Sequence, residues 1–254
     1  VKKLKSYFDK VVDSYEKTGK LQKTVAEELL KKINKDFYST VVEIGSGNGF
    51  LSIPLSKQIS FKRFINIDIS LEFLKRLKLE LNDKALFINA MAEAMPLKEN
   101  LANLLVSSSS LHWIHNPTKN FKELFNIIKN DGRFYFSIFT SNTLKELRYV
   151  SEVTGFGSVY PLKKAEFYIE AIEKMAISFN YETKIYREIF ASPKHLLISH
   201  KLTGTNYTEN KNFSGKLLFK KFCDLYEKLF TTHYGVYATY EVLFIEGQKL
   251  SPFH

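Results

Sequence analysis

Seven consecutive residues, Glu43-Ile44-Gly45-Ser46-Gly47-Asn48-Gly49, constrain this chain more than any others. They close a β-branched run, Thr40 to Ile44, that reads as a strand. Residues 50–59 follow and read as a helix. Glycines between a strand and a helix permit a tight turn and let the backbone approach a ligand closely. In open α/β sheets ligands bind outside the carboxyl ends of the strands, at turns of this kind. A nucleotide-like cofactor is therefore expected over residues 45–49. The dinucleotide fingerprint is not met, because its third glycine falls at the sixth position, here Phe50. A phosphate-binding P-loop is excluded too, since no Lys-Ser/Thr follows the glycines.

The strand–helix alternation continues downstream. Phe64 to Ile69 reads as a strand and 71–82 as a helix. Ala85 to Asn89 is a strand, followed by a loop through Met95-Pro96. Asn103 to Ser107 is a strand, 117–129 a helix, Asp131-Gly132 a turn and Arg133 to Phe139 a strand. This alternation argues for a parallel sheet with helices on both faces. Right-handed crossovers then give a doubly wound, Rossmann-like order. Residues 1–35 read as helical, broken near Lys17 to Lys20. Beyond residue 140 the pattern loosens: helices over 163–179, 193–203 and 214–230, and strands over Tyr181 to Phe190 and Ala238 to Ile245. One domain over 1–254 is the simplest reading, with an N-terminal helical lid (1–35) and a helical insertion over about 191–234.

The 254 residues carry a net charge of +10, and the excess is mostly lysine. Such a surface favours acidic partners, whether nucleic acid, anionic lipid or acidic protein, or else reflects a lysine-rich composition. No block of five basic residues occurs, which weakens a nucleic-acid tail. The single cysteine, Cys223, allows neither an intrachain disulfide nor a cysteine zinc cluster, and no metal is expected. Residues 1–10 lack the apolar core of a signal peptide, and no stretch approaches the roughly 20 apolar residues that span a bilayer. A soluble, cytoplasmic protein is expected.

Asp68 stands 21 residues after Gly47, at the end of the next strand. A carboxylate there can accept hydrogen bonds from both ribose hydroxyls. The competing reading, a cap on the following helix, suits Ser70 better. GxGxG after an acidic residue, followed by this aspartate, resembles the first motifs of class I methyltransferases.

More extended matches resemble the malonyl-acyl-carrier-protein O-methyltransferase family of biotin synthesis. They comprise Phe8, Tyr15, Leu21-Gln22, Ala26 and Leu29-Leu30; Glu43 to Gly49 with Asp68; Glu93 with Pro96-Leu97; Val106 to Trp113 (VSSSSLHW); Phe136 to Leu147 (FSIFTSNTLKEL); Lys201 to Gly204 with Asn206; and Thr239-Tyr240-Glu241. The glycine motif is generic, and the later segments are more specific. Two positions depart from the family pattern. An aspartate usual two residues before Glu93 is Met91, and an asparagine usual after strand four is Ser108.

The resemblance implies a class I methyltransferase fold, with a seven-stranded, mostly parallel sheet, helices on both faces and a helical lid. It implies S-adenosylmethionine as cofactor and the free carboxylate of malonyl-acyl carrier protein as acceptor. By this reading Gly45, Ser46 and Gly47 approach the methionyl part beside Glu43. Asp68 holds the ribose, and Ile69 packs on the adenine. Met91, Ala92 and Glu93 lie at the adenine, which in place of the aspartate contact is held by the Ala92 backbone N–H and apolar contacts. Ser107 lies near the methionine amino group, and Tyr15 and Gln22 come from the lid. Arg148 is the candidate partner of the acceptor carboxylate, or else a solvated helix arginine. His112 lines the substrate pocket, or is structural beside Trp113, which reads as packing. Lys163, Lys164 and Lys201 are candidate contacts to an acidic carrier protein, and a monomer is expected.

Three other readings stay open on the residues alone. One is a methyltransferase of another small molecule, such as a quinone or polyketide. A second is an RNA methyltransferase, disfavoured because no Asn/Asp-Pro-Pro-aromatic sequence or cysteine nucleophile follows strand four. The third is a cofactor-binding module without turnover.

Overall fold

A computed structural model describes residues 2–175, 177–203 and 215–251. The expected matches at Gly204 and Asn206, and the start of the 214–230 helix, lie outside the described residues. In chain order the elements are α1 (Lys2–Asp9), α2 (Val12–Thr18), α3 (Lys20–Lys32), β1 (Phe37–Ile44), α4 (Ser52–Gln58), β2 (Ser60–Asp68), α5 (Leu71–Leu81), β3 (Leu86–Asn89), β4 (Ala102–Ser108), α6 (Pro117–Ile127), β5 (Ile128–Phe139), α7 (Lys145–Thr154), α8 (Ala165–Glu173), β6 (Ile177–Phe190), α9 (Pro193–Leu202), α10 (Lys216–Phe230), β7 (Thr231–Thr232) and β8 (Gly235–Lys249). The chain divides into two compact units.

One unit comprises residues 20–138, 163–183 and those from 243 onward. It carries the sheet, in the order β3-β2-β1-β4-β5-β8-β6. β1 to β5 pair in parallel, as right-handed crossovers require. β8 turns back: Lys249 reaches the Ile128 carbonyl, while Gly247 lies against Phe134, so it runs antiparallel to β5. The sheet is apolar on both faces because helices cover both. Val42, Ile44, Ile65, Ile67, Leu105, Phe134 and Phe136 join Phe121 and Phe125 of α6 and Tyr168 and Ile172 of α8 in one cluster. Its rings meet edge-on or tilted, as Phe125 and Phe134 do at 4.8 Å and 81°. Each fully buried side chain of this size contributes about 1.5–3 kcal/mol. On the other face α3 packs on β4, and α4 and α5 pack on β2. Val25, Leu29, Leu55 and Leu77 are fully buried there.

The second unit comprises residues up to 19, 139–162 and 184–242. In it α10 packs against α7 and α9, and α2 packs against α9. Phe222 and Tyr226 anchor α10, with the Phe156 ring tilted against Phe222 at 5.2 Å. Ser14 of α2 donates to the Leu202 carbonyl of α9 at 2.7 Å. Two buried carboxylates organise the start of β8. Glu146 accepts from the Thr239 amide at 3.0 Å and from its hydroxyl at 2.5 Å. Glu241 accepts from Thr140 and from Asn142 at 2.8 Å.

Several expected boundaries move. The N-terminal helical stretch is three helices, and the third packs on the sheet. β5 begins at Ile128, not at Arg133. The expected Asp131-Gly132 turn is instead an irregularity inside that strand, where the register slips between Ala102 and Leu104. Asp131 there has φ 61°. A Cβ on Gly132 would lie 2.9 Å from the Ala102 carbonyl oxygen, which only glycine avoids. The helix expected over 163–179 ends at Glu173, because the strand alternation of β6 starts already at Ile177. Among the described residues no helix is long and apolar enough to cross a membrane.

Candidate active site

β1 runs directly into the glycine turn, and the turn is tied down by its own backbone. The Gly45 and Ser46 amides donate to the Ile67 carbonyl at 2.8 and 3.1 Å, and the Gly49 amide donates to Ser46 at 2.9 Å. The Gly47 amide donates to Asp68 Oδ2 at 2.8 Å. Gly45, Gly47 and Gly49 have φ of +70°, +50° and +86°, which a side chain makes costly. Gly45 has a second reason: a Cβ there would fall 2.0 Å from Ser110 Oγ. Around Gly47, by contrast, the space is open.

With these four amides engaged, the turn has few N–H groups to aim at an anion. Phosphate cradles depend on such free amides at a helix N-terminus or nest. The charges nearby are acidic as well. Asp68 ends β2, with its other oxygen accepting from the Ser70 amide at 2.7 Å. Ser70 is the N-cap of α5, its hydroxyl accepting from Phe73 N. The carboxylate of Asp68 thus ties two loops together at the carboxyl end of β2.

Beneath the turn, Glu43 is buried and its Oε2 accepts from Ser52 Oγ at 2.6 Å. Burial pushes its pKa up to about 8; the Ser52 hydrogen bond opposes the rise and the Asp68 charge adds to it. Asn66 pairs with Glu43 in the β1–β2 register, so both side chains share a face. The Asn66 amide is fully buried with neither polar atom hydrogen-bonded among the described residues, and the same holds for the Ser46 hydroxyl. A buried polar atom left without a partner calls for an explanation, such as a ligand or water. A partly open, acidic, phosphate-averse turn with an orphaned hydroxyl fits a cationic nucleoside cofactor.

β4 ends beside this turn. Ser107 Oγ donates to the Ile44 carbonyl at 2.8 Å, and Ser137 Oγ donates to Ser108 Oγ at 3.1 Å. Ser109 follows with φ 54°, and its hydroxyl is buried and unpartnered among the described residues.

Comparison with known proteins agrees with this geometry. Residues 42–136, from β1 into β5, match a family described as methyltransferase domain. The chain is 26% identical to a malonyl-[acyl-carrier protein] O-methyltransferase of Bacillus cereus, over 97% of this chain and 96% of that protein. It is 28% identical to the protein of the same name from Calditerrivibrio nitroreducens, over 96% of each. Among solved structures, YcgJ of Bacillus subtilis superposes with a TM-score of 0.65 at 13% identity, covering 90% of this chain and 99% of that one. Geranyl diphosphate C-methyltransferase of Streptomyces coelicolor superposes at 0.55 and 13%, covering 89% and 75%. Residues 42–136 carry a methyltransferase domain, and the fold is the Rossmann-like one of its methyltransferase neighbours.

The remaining expected residues of the methyltransferase fall in both units. In the sheet unit, Ile69 is half-buried and its carbonyl accepts from Asn89 Nδ2 at 2.8 Å. Met91, Ala92 and Glu93 are half-buried just after β3, where the Ala94 amide donates to the Met91 carbonyl. Glu93 Oε1 accepts from the His115 amide at 3.3 Å and lies 3.5 Å from His115 Nδ1. Gln22 is half-buried on α3. His112 is 8% exposed, its ring 5.1 Å from that of Trp113, and burial lowers its pKa to about 3. His112 is therefore neutral at physiological pH.

In the other unit, Tyr15 is half-buried on α2. Arg148 of α7 donates from Nη1 to the Ser141 carbonyl at 2.8 Å and from Nη2 to the Thr143 carbonyl at 3.3 Å. A guanidinium has five N–H donors, so this anchors the group while leaving others available. Lys201 is exposed in this unit, and Lys163 and Lys164 are exposed in the sheet unit. Sequence reasoning missed Asn66, Ser109 and the Gly45–Ser110 contact. The four-serine run was visible, but which hydroxyls the backbone would occupy was not.

Proposed function

We propose that this methyltransferase transfers a methyl group from S-adenosylmethionine to the free carboxylate of a malonyl thioester on acyl carrier protein, giving the methyl ester. The observation that carries the reading is the likeness to two malonyl-[acyl-carrier protein] O-methyltransferases over 96–97% of this chain, through both units. The cofactor supplies, when bound, an electrophilic methyl group on a positively charged sulfur.

The residues present suit that chemistry. A carboxylate is ionised at neutral pH, so the reaction needs no general base. Neutral His112 offers hydrogen bonding rather than positive charge, so charge recognition of the acceptor falls to Arg148, whose planar fork suits a carboxylate. The Asp68 carboxylate gives the turn a negative charge that favours a cation above it, while the protonated Glu43 adds none. Asp68 would hold the ribose. Gly45, Ser46 and Gly47 would lie under the methionyl part, with Ser107 nearby through its backbone. Ile69, Met91, Ala92 and Glu93 would surround the adenine. Tyr15 and Gln22 would help exclude water, and exclusion of water strengthens every charge interaction inside. The rate would come mainly from holding acceptor and methyl group in line. The exposed lysines Lys163, Lys164 and Lys201 would speed encounter with an acidic carrier protein.

The test uses methyl-labelled S-adenosylmethionine with malonyl-acyl carrier protein, malonyl coenzyme A and acetyl-acyl carrier protein in parallel. Label on the malonyl carrier as a base-labile ester, with none on the acetyl carrier, supports the reading. Cofactor binding without label on any acceptor overturns it.

A further inference from the structure

We infer that Ser109 is an acceptor-contacting residue, its hydroxyl donating a hydrogen bond to the carboxylate that receives the methyl group. The inference rests on the acceptor assigned above. Two independent features single out this serine. Its φ is 54°, a left-handed conformation that serine rarely adopts. Its Oγ is buried with no hydrogen-bond partner among the described residues. Strain and an unsatisfied hydroxyl each cost stability, and backbone outliers of this kind cluster at ligand clamps.

The neighbouring hydroxyls do not share this state. Ser107 Oγ is engaged with the Ile44 carbonyl, and Ser137 Oγ donates to Ser108 Oγ. The Ser109 amide is held by the Ser137 carbonyl at 2.9 Å and by Ser137 Oγ at 3.3 Å. Next to it, Ser110 fills the place a Gly45 side chain would take, which fixes the segment against the glycine turn. The surroundings therefore hold the strained conformation in place and leave the hydroxyl without a role in the fold.

Strand order gives the direction. Asp68 ends β2, the glycine turn follows β1, and Ser109 follows β4, in the sheet order β2-β1-β4. A cofactor whose ribose lies at Asp68 and whose methionyl part lies over the turn brings its reactive end toward β4. The acceptor carboxylate must meet it there, beside Ser109. The hydroxyl keeps its proton throughout. One carboxylate oxygen gains the methyl group as the carbon–sulfur bond breaks, and that bond's electron pair stays on sulfur. Ser109 bonds the other oxygen and orients the group.

Three variants separate this role from a structural one. Ser109→Ala removes the hydroxyl and keeps the strain, and Ser109→Gly removes both. Ser109→Asn tolerates the left-handed conformation and keeps a donor. Steady-state kinetics with malonyl-acyl carrier protein are expected to show a fall in kcat/KM of roughly 10-fold or more for both Ala and Gly, mainly through KM, as for a lost hydrogen bond to a charged group. Asn recovers part of it. Calorimetry should leave S-adenosylhomocysteine affinity unchanged in all three while weakening malonyl-carrier binding to that complex for Ala and Gly. Thermal melting should place Ser109→Gly at or above the wild type, so activity and stability part company. If wild type is active and both Ala and Gly stay within about 2-fold of it, the assignment fails. It also fails if Gly restores what Ala loses, since the effect then lies in the backbone. A wild type that binds cofactor but methylates no acceptor overturns the acceptor reading, and this assignment with it.

Discussion

Asp68 Oδ2 accepts a hydrogen bond from the Gly47 amide at 2.8 Å, across the ends of two adjacent strands. The same carboxylate accepts from Ser70 N at 2.7 Å through its other oxygen. One side chain thus sets the shape of the turn and of the α5 start, and under the proposed function it would also accept from the ribose. Asp68→Ala should lose both roles. Hydrogen bonds to a charged group contribute about 1.5–3 kcal/mol each, so a fall in stability of that order is expected. Asp68→Asn should retain one acceptor and lose less stability, yet still bind S-adenosylhomocysteine roughly 10-fold or more weakly. Chemical denaturation with calorimetry on both variants checks this. Unchanged cofactor affinity in Asp68→Asn would remove Asp68 from the cofactor site.

The three turn glycines are not equivalent. At Gly45 a Cβ would meet Ser110 Oγ at 2.0 Å with φ +70°, so Gly45→Ala must displace the 108–110 segment as well as bear the left-handed strain. At Gly47 the conformation is left-handed too, but nothing lies within 4 Å of a Cβ. Gly47→Ala should therefore cost stability only about 1–2 kcal/mol, the left-handed penalty, and Gly45→Ala clearly more. The open space at Gly47 is where a ligand would approach, so Gly47→Ala should weaken cofactor binding out of proportion to its stability loss. Melting temperatures and cofactor titrations of the pair decide it. Equal stability losses would mean that the Ser110 contact does not matter.

This contrast also shows how far the sequence reaches. Strand, glycine turn, helix and terminal aspartate are local patterns, and the structure has all of them where the periodicity puts them. Asp131 and Gly132 read as a turn before the strand, and the structure corrects this. That they form an irregularity within β5 rather than a turn before it depends on pairing with Ala102, about 30 residues away. The end of α8 at Glu173 was missed because Met175 and Ile177 continue a helical apolar spacing while already packing on the sheet core. The serine run was legible as a segment. Its division into occupied hydroxyls and the orphan of Ser109 was not, since the partners Ile44 and Ser137 come from neighbouring strands.

Two buried groups predict opposite pH effects on the cofactor-free protein. Glu43, with its pKa raised to about 8, holds a proton in the folded state that the unfolded chain has released. Its contribution to stability is full below the ordinary carboxylate range and is lost as pH rises toward 8, at about 1.4 kcal/mol per pH unit. His112 is shifted down to about 3, so it stays neutral in the folded state while the unfolded chain takes up a proton below about 6.5. Its contribution is present above that value and is lost as pH falls toward 3. Glu43→Gln should therefore flatten the alkaline side of a stability–pH profile between about pH 5 and 8, and His112→Gln the acid side below about 6.5. Denaturant midpoints taken across pH 4 to 9 measure both. A wild-type slope unaltered by Glu43→Gln would show that Glu43 is ionised in the fold.

Arg148 supplies the last discrimination, between a charge that binds the acceptor and a helix arginine that merely braces a loop. Its guanidinium is fixed by the carbonyls of Ser141 and Thr143 and, among the described residues, by no carboxylate, so these contacts position a positive charge without neutralising it. Lysine has the charge but not the planar fork, and cannot hold two carbonyls while presenting parallel donors to a carboxylate. Arg148→Lys should raise the KM for malonyl-acyl carrier protein roughly 10-fold or more and leave cofactor affinity unchanged, and Arg148→Ala should be worse. If the residue only braces residues 141–143, both variants should lower the melting temperature and reduce kcat with little change in acceptor KM. The split between KM and kcat, read beside the melting curves, therefore assigns Arg148 to the acceptor or to the loop. Acetyl carrier protein makes the sharper control: lacking the free carboxylate, its weak binding as a competitor should be the same for wild type and Arg148→Lys, whereas a loss shared by both carriers would place the arginine outside carboxylate recognition.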